Sequence, residues 1–335
     1  MAARVLITRR MPEVAAEILQ EAGLSVELLP PREEGSPAAL RERVRGCTAL
    51  LATLRERIDR DVLEAAGPAL RVVANCAVGF DNIDVPACTA RGVRVTNTPD
   101  VLTDATADLA WALVLAAARR VVEGDQLVRS GRWAGWEPLQ LLGLELTGAT
   151  LGVIGAGRIG AAVARRSLGF RMRVFYCDVR PNPQLEAEVG AQQCELERLL
   201  RASDVVSLHV PLTMQNVHLI GAAQLAQMKP TAVLVNTSRG PVIDEAALVD
   251  ALRTGRIAAA GLDVYENEPR LAPGLAELPN VVLLPHLGSA TTETRRRMAA
   301  MAAENVVAVL AGRPPPNPVN LRQGLDVESA RFAGA

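Results

Sequence analysis

The sequence contains three histidines, and histidine is the side chain best suited to proton transfer near neutral pH. His209 and His286 each follow an apolar run that predicts a buried strand, whereas His218 lies at a predicted helix start. Ligands of open parallel sheets bind outside the carboxyl ends of the strands. Both His209 and His286 satisfy that placement, and His286, at the end of the last predicted strand, is the stronger acid–base candidate.

Charged residues follow two other predicted strands. Arg239 comes two residues after the strand predicted at 232–237, and its guanidinium could bind a carboxylate with two parallel hydrogen bonds. Glu266 and Glu268 follow residues 258–263, and either could pair with His286. A carboxylate beside an imidazole favours its protonated form, which a ketone-reducing enzyme needs in its proton donor.

A glycine motif lies between an apolar run and a segment with helical spacing. Gly155, Gly157 and Gly160 follow residues 150–154, so the pattern predicts a strand, a tight turn and a helix. The first glycine permits the turn, the second lets a pyrophosphate approach the backbone, and the third lets the helix pack closely on the strand. This arrangement predicts a dinucleotide-binding site.

An acidic residue is expected about 20 residues after such a motif, and Asp178 ends the next predicted strand, 173–177. A carboxylate there accepts hydrogen bonds from the ribose hydroxyls of NAD and repels the 2′-phosphate of NADP. Arg180, two residues on, could instead hold that phosphate. The sequence therefore favours NAD(H) and leaves NADP(H) possible.

These residues need two series of alternating strands and helices to position them. Strands of the first series are predicted at 5–8, 26–29, 49–52, 72–75 and 93–97, and those of the second at 151–154, 173–177, 205–209, 232–237, 258–263 and 281–285. Long helices are predicted at about 104–130 and 291–311. The alternation predicts an α/β protein with two doubly wound parallel-sheet domains and a cleft between them.

The simplest organisation is a Rossmann nucleotide-binding domain, residues 101–286, inserted in a discontinuous, flavodoxin-like substrate-binding domain. That second domain comprises residues 1–100 and 287–320, and residues 321–335 form a C-terminal tail. The helix after Asp104 and the tryptophan segment, 131–148, suggest a homodimer.

Composition excludes several classes of protein. A net charge of −1 gives no electrostatic case for nucleic acid or a membrane surface. Five scattered cysteines without a Cys-x-x-Cys pair indicate reduced thiols in a cytoplasmic protein, with no metal site. Lys229 is the single lysine and lies in a predicted turn, so Schiff-base chemistry has no candidate residue.

The chain resembles the D-isomer-specific 2-hydroxyacid dehydrogenases, and within them the glyoxylate/hydroxypyruvate reductases. The resemblance covers nearly the whole sequence. It rests on the glycine motif and on the stretches 77–84, 105–110, 236–240, 261–264, 268–269 and 285–290.

The resemblance implies a role for each matching residue. His286 is the expected acid–base residue, Glu268 its partner (chosen over Glu266 because a proline follows it) and Arg239 the substrate clamp. The substrate contacts so implied are Val78 and Gly79 through their amides, Leu54, Trp136 and Ser289, in addition to Arg239. The implied cofactor contacts are Gly155, Gly157, Arg158, Ile159, Gly160, Asp178, Arg180, Thr106, Pro211, Thr237, Asp263 and Gly288.

The implied reaction is reduction of a small 2-oxo acid, such as glyoxylate or hydroxypyruvate, to glycolate or D-glycerate with NAD(P)H. Other D-2-hydroxyacid dehydrogenases, of the D-lactate, phosphoglycerate or phosphite type, remain alternatives. A phosphite-type enzyme would carry a lysine in place of Val78, and a phosphoglycerate type often has a C-terminal regulatory extension. A nucleotide-sensing protein like the corepressors of this fold is a further alternative, because those can keep the same catalytic residues.

Overall fold

The computed structural model describes residues 3–320, which form twelve strands and twelve α-helices. The strands are β1 (Arg4–Ile7), β2 (Ser25–Leu28), β3 (Ala49–Ala52), β4 (Val72–Asn75), β5 (Arg94–Thr96), β6 (Thr150–Ile154), β7 (Arg173–Cys177), β8 (Gln192–Gln193), β9 (Val205–Leu208), β10 (Val233–Asn236), β11 (Ala259–Leu262) and β12 (Val281–Leu283). The helices are α1 (Val14–Glu21), α2 (Pro37–Arg43), α3 (Arg60–Ala66), α4 (Val85–Ala90), α5 (Thr103–Ala118), α6 (Val121–Arg129), α7 (Arg158–Arg166), α8 (Pro183–Val189), α9 (Leu196–Ala202), α10 (Ala222–Leu225), α11 (Glu245–Arg253) and α12 (Thr292–Leu310).

The described chain divides into two compact units. The first runs to Leu102 and resumes at Ser289, and the second comprises Thr103–Gly288. The sequence-based division places the junctions at residues 100 and 286, two residues earlier in each case. The assignment of one unit to the substrate and the other to the nucleotide stays a prediction from the sequence.

The first unit contains a five-stranded parallel sheet in the order β2-β1-β3-β4-β5. This is the doubly wound order of the flavodoxin type. Strands β3 and β4 are buried at every residue, as expected for parallel strands with both faces covered. The long helix α12 belongs to this unit, and its Ala299, Ala302 and Val306 pack with Val5 and Leu19 in one apolar cluster.

The second unit contains a seven-stranded parallel sheet in the order β12-β11-β10-β9-β6-β7-β8. Counted from β6, the first six strands follow the order of a dinucleotide-binding sheet, with β12 added at one edge. The predicted fold of two doubly wound parallel sheets, one inserted within the other along the chain, is therefore confirmed. Every strand carboxyl end lies at the same edge of its sheet because all pairs are parallel.

Three sequence-based predictions about elements are wrong. The single helix expected at 104–130 is two helices, α5 and α6, because the chain turns at Arg120, which has φ +54°. The second sheet has seven strands and not six, because the short, exposed β8 carries no apolar pattern. His218 begins no helix: it lies in a turn with φ +51°, and α10 starts only at Ala222.

All five cysteines are free thiols, with Cys47 and Cys88 buried and the other three half-buried. Within residues 3–320 no helix is long and apolar enough to cross a membrane. The same residues contain no group of three or more histidine, cysteine, aspartate or glutamate side chains that could hold a metal ion. The predicted tail, 321–335, lies outside the described residues.

Candidate active site

The glycine motif forms the turn between β6 and α7. Gly155 has φ +90°, and a β-carbon there would lie 2.7 Å from the backbone of His209. A β-carbon on Gly160 would lie within 1.9 Å of the carbonyl oxygen of Gly155. Only glycine fits either position, so the turn can pass this close to its neighbours and α7 can begin at Arg158.

Asp178 lies at the end of β7 and contacts the same turn. Its Oδ2 accepts a hydrogen bond from the backbone N–H of Ala156 at 2.7 Å, and the side chain of Asn182 donates to the carbonyl of Ala156 at 2.8 Å. The backbone N–H of Arg180 donates to Asp178 Oδ1 at 3.3 Å, and Arg180 itself is exposed. The carboxylate thus fixes the turn and retains lone pairs for a further donor.

This arrangement fits a dinucleotide. Gly155 and Gly160 exclude any larger residue, a helix begins directly after the turn, and an acid follows the neighbouring strand. The other predicted cofactor residues of this unit also lie at or next to strand carboxyl ends or helix starts. These are Arg158 and Ile159 in the first turn of α7, Pro211 after β9, Thr237 after β10, Asp263 after β11, and Thr106, which donates to the carbonyl of Gly288 at 3.1 Å.

His286 and Glu268 form a hydrogen-bonded pair, with 3.1 Å between His286 Nδ1 and Glu268 Oε2. Both side chains are about one-third exposed, so the pair is accessible to a small molecule. The backbone N–H of Tyr265 donates to the other oxygen of Glu268 at 3.1 Å. The carboxylate therefore orients the imidazole through Nδ1, which leaves Nε2 to exchange a proton.

The charge state of Glu268 follows from its contacts. Burial on its own would raise the pKa of this carboxyl, but the hydrogen bond and charge of His286, the Tyr265 N–H and the charge of Arg239 together outweigh that effect. The pKa of Glu268 therefore lies below its ordinary value, and the side chain is an anion at neutral pH. As an anion, Glu268 can only accept the hydrogen bond that it shares with His286 Nδ1.

Asp263 shapes the loop that carries His286. Its two carboxylate oxygens accept hydrogen bonds from the backbone N–H groups of Leu287 and Gly288, and its carbonyl accepts from the N–H of His286 at 2.9 Å. His286 has φ +58°, a conformation that non-glycine residues rarely adopt. The buried aspartate stabilises this conformation, because three consecutive N–H groups converge on one residue. Burial raises the pKa of Asp263 despite these hydrogen bonds.

Arg239 follows β10 and is half-buried. The side chain of Asn236 donates to the Arg239 carbonyl at 2.9 Å, and Arg239 Nη1 donates to the carbonyl of Ser238 at 2.8 Å. The next residue, Gly240, packs so closely on the backbone of Tyr265 that a β-carbon would lie 1.8 Å from its carbonyl carbon. Close packing of these two segments brings Arg239 near the loop that holds Glu268.

The other two histidines have different surroundings. His209 is fully buried, its Nε2 lies 2.8 Å from Ser207 Oγ, and burial lowers its pKa to about 3. It is therefore neutral near pH 7 and unsuited to proton transfer there. His218 is exposed and pairs with Glu266 at 2.8 Å, which separates the two glutamates: Glu266 contacts His218, and Glu268 contacts His286.

The remaining predicted substrate residues lie in several segments. Val78 and Gly79 lie in the loop after β4, Leu54 in the loop after β3, and Ser289 just before α12, all in the first unit. Trp136 belongs to the second unit and lies in the irregular segment after α6, with 80% of its surface exposed.

Sequence reasoning missed Asn75, Asn82 and Asn97, whose side chains contact the loops of Leu54 and Val78. The positions of Asn75 at the end of β4 and of Asn97 just after β5 were the available signal, whereas Asn82 lies in the loop between β4 and α4.

Comparison with known proteins gives a consistent result. Residues 111–288 match the model of the D-isomer specific 2-hydroxyacid dehydrogenase, NAD binding domain. The chain is 52% identical to the glyoxylate reductase of Korarchaeum cryptofilum over 96% of both chains, and 50% identical to that of Thermococcus onnurineus over 99% of this chain and 100% of the relative.

Solved structures agree with these sequence matches. The TT0316 protein from Thermus thermophilus superposes with a TM-score of 0.87 at 50% identity, covering 95% of this chain and 100% of that one. An NADPH-dependent glyoxylate/hydroxypyruvate reductase from Sinorhizobium meliloti, in complex with NADP and malonate, has a TM-score of 0.85 at 35% identity, covering 97% and 100%. This chain belongs to the D-isomer specific 2-hydroxyacid dehydrogenase family.

Proposed function

We propose that this protein reduces small 2-oxo acids, glyoxylate and hydroxypyruvate in particular, to glycolate and D-glycerate at the expense of a reduced nicotinamide dinucleotide. The observation that carries this proposal is the pairing of His286 with the ionised Glu268 in a family of 2-hydroxyacid dehydrogenases. Relatives about 50% identical over nearly their whole length are named glyoxylate reductases, which supports the choice of substrate.

The side chains divide the chemistry among them. Reduced nicotinamide supplies a hydride to the carbonyl carbon of the 2-oxo acid. Arg239 binds the substrate carboxylate and stabilises negative charge that develops on the carbonyl oxygen. His286, oriented through Nδ1 by Glu268, donates the proton from Nε2 to that oxygen. In the opposite direction the neutral imidazole accepts the proton from the 2-hydroxyl group.

The amides of Val78 and Gly79 form the second grip on the carboxylate in this proposal, and Leu54, Trp136 and Ser289 contribute the walls of the substrate pocket. The assignment of these five residues rests on their match to the family pattern. Because two sets of hydrogen-bond donors bind the substrate carboxylate, we expect a strong preference for 2-oxo acids over simple aldehydes, which lack that group.

For the cofactor, we favour NADH over NADPH. The Asp178 carboxylate lies at the end of β7, where it would accept hydrogen bonds from the adenosine ribose and repel a 2′-phosphate. Arg180 is the residue that could reverse this preference. Gly155, Gly157, Gly160, Arg158 and Ile159 would hold the pyrophosphate.

A homodimer and a cytoplasmic location complete the proposal. Large apolar side chains are exposed along one stretch of the second unit: Val121, Val128, Trp133, Trp136, Leu139 and Leu142. Clustered exposed apolar residues of this size mark association surfaces. Free thiols at all five cysteines support a reducing compartment.

The test is an assay of nicotinamide absorbance with glyoxylate and hydroxypyruvate, each with NADH and with NADPH. We expect rapid NADH oxidation with at least one acid, loss of activity in His286→Gln, and retained activity in the matched control His218→Gln. Oxidation of NADPH without oxidation of NADH would indicate that Arg180 binds the 2′-phosphate and sets the cofactor preference. NADH binding without turnover of any 2-oxo acid would contradict the proposal and favour a nucleotide-sensing protein.

A further inference from the structure

Three asparagine side chains organise two loops of the first unit. One loop follows β3 and carries Leu54; the other follows β4 and carries Val78 and Gly79. Asn75 ends β4 and is fully buried, and Asn97, just after β5, is 7% exposed. A buried amide stays in place only when its hydrogen bonds are satisfied, so each contact of these residues constrains the backbone that it touches.

The first constraint sets the direction of two N–H groups. The carbonyl of Ala77 accepts a hydrogen bond from the backbone N–H of Thr98 at 2.8 Å, and the carbonyl of Val78 accepts one from Asn97 Nδ2 at 2.8 Å. The C=O and N–H of a planar trans peptide point in opposite directions. The N–H groups of Val78 and Gly79, which share these two peptides, therefore point away from the buried Asn97 and Thr98.

Neither of these N–H groups donates a hydrogen bond to another of the described residues. Each is free to bind an external acceptor. Asn75 extends the constraint by one peptide, because its Nδ2 donates to the carbonyl of Gly79 at 2.8 Å and to Asn82 Oδ1 at 3.0 Å. Three consecutive carbonyls, 77 to 79, are thus held on the inner side of the loop.

Asn82 links this loop to the one after β3. Its Nδ2 lies 3.0 Å from the carbonyls of both Thr53 and Glu56, on either side of Leu54 and Arg55. The Glu56 carboxylate, 3% exposed, accepts hydrogen bonds from the N–H and hydroxyl of Thr53 at 3.0 and 2.8 Å. Arg9 pairs with the same carboxylate at 3.1 Å. The segment around Leu54 is therefore fixed relative to the Val78–Gly79 amides.

We propose that Asn75, Asn82 and Asn97 are positioning residues for the substrate carboxylate. They hold the Val78 and Gly79 N–H groups pointing outward as a preformed anion grip, and they set the distance between that grip and Leu54. The inference deepens the proposed function and rests on it, since the anion is the carboxylate of the 2-oxo acid. Preformed donors bind an anion without first having to be ordered.

The principal test replaces Asn97 in two ways. Asn97→Ala removes the donor to the Val78 carbonyl, and the isosteric Asn97→Asp places an acceptor against that carbonyl. Asn82→Ala, at a half-buried position, tests the link between the loops. Asn320→Ala is the matched control, because Asn320 is also buried in this unit, and its side-chain hydrogen bonds to the other described residues go to Thr89, Val93 and Val95.

We measure kcat and KM for glyoxylate, the dissociation constant of NADH, and the dissociation constant of oxalate for the NADH-bound enzyme. Both Asn97 variants should raise the KM for glyoxylate and weaken oxalate about 10- to 100-fold, the scale of one hydrogen bond to a charged group. NADH affinity should change less than about twofold, because the contacts of Asn97 lie in the first unit. Asn82→Ala should raise KM less, and Asn320→Ala should lower thermal stability without raising KM.

Unchanged KM and oxalate affinity in the Asn97 variants would overturn the positioning role. So would an equal rise in KM in Asn320→Ala, because general destabilisation would then explain the effect. If the parent enzyme turns over no 2-oxo acid, the proposed function fails on its own, and oxalate binding still decides the role of Asn97. Absence of oxalate binding to the parent enzyme would contradict a preformed anion grip.

Discussion

Replacing His209 by glutamine should leave catalysis intact and change how stability depends on pH. His209 is fully buried beside Ser207, and burial lowers its pKa from 6.5 to about 3. As the pH falls below 6.5, His209 therefore binds a proton in the unfolded chain, whereas in the folded protein it stays unprotonated until about pH 3. The folded state is penalised progressively from pH 6.5 down to about 3, and no penalty exists well above pH 6.5.

The size of the penalty follows from the two pKa values. At pH 5 the unfolded histidine is almost fully protonated and the folded one is about 1% protonated, so linkage lowers the free energy of unfolding by about 2 kcal/mol relative to pH 8. Glutamine can keep the hydrogen bond to Ser207 and does not titrate, so His209→Gln should lack this loss.

Two measurements check the prediction. Urea unfolding of the parent and of His209→Gln at pH 8 and pH 5 should show the parent losing about 2 kcal/mol more. NMR of protein labelled at histidine Cε1 should show a His209 signal that does not titrate between pH 5 and 8. With three histidines in the chain, one glutamine variant of each assigns the spectrum. A His209 midpoint between pH 5 and 8, or loss of turnover in His209→Gln comparable to that in His286→Gln, would refute this reasoning.

Three further changes test the remaining assignments. Glu268→Gln should keep a hydrogen bond to His286 but lose the negative charge beside the ring, so kcat for reduction should fall about 10- to 100-fold, and an unchanged kcat would contradict the role of Glu268. Asp178→Ala should lower the NADH/NADPH ratio of kcat/KM by about tenfold or more, and an unchanged ratio would mean that Asp178 does not set the preference. Trp136→Ala combined with Leu139→Ala should weaken the dimer in sedimentation equilibrium, whereas a parent that is already monomeric would contradict the proposed assembly.

Strand ends were the most predictable part of this structure. The buried strands β3 and β4 are continuous apolar runs and begin and end where the sequence predicts. The bounds of β7, which is only partly buried, also agree with the prediction. The glycine turn was equally predictable, because positive φ and close backbone contact at Gly155 leave no alternative to glycine. These features depend on local chemistry, which a sequence shows directly.

The break between α5 and α6 could not be predicted because its cause is distant in sequence. The backbone N–H of Leu144 donates to the carbonyl of Ala118 at 2.8 Å and so satisfies the end of α5. Gly143 allows this approach, since a β-carbon there would lie 2.2 Å from that carbonyl oxygen. The two residues at the break, Arg119 and Arg120, are neither proline nor glycine, so the sequence does not mark the end of α5.

The sequence favoured His286 over His209, and the structure supplies the physical reason for that choice. Both follow buried strands, and only their surroundings distinguish them: His209 is enclosed with a neutral hydroxyl, whereas His286 is one-third exposed beside an anion. The two glutamates near residue 267 differ for the same reason, because Glu266 pairs with His218 and only Glu268 reaches His286. Proximity of residues far apart in sequence gives the physical reason for both choices.

Both units place their polar groups at the carboxyl edge of a parallel sheet, but they use them differently. In the second unit the strand ends are followed by ionisable side chains, Asp178, Asp263 and His286, and burial raises the pKa of Asp263. In the first unit they present neutral amides, Asn75 and Asn97, which fix the direction of backbone N–H groups. Substitutions in the second unit should therefore change pH dependence and cofactor choice. Substitutions in the first should change KM for the acid without moving the pH profile, because no group that titrates near neutral pH is altered there.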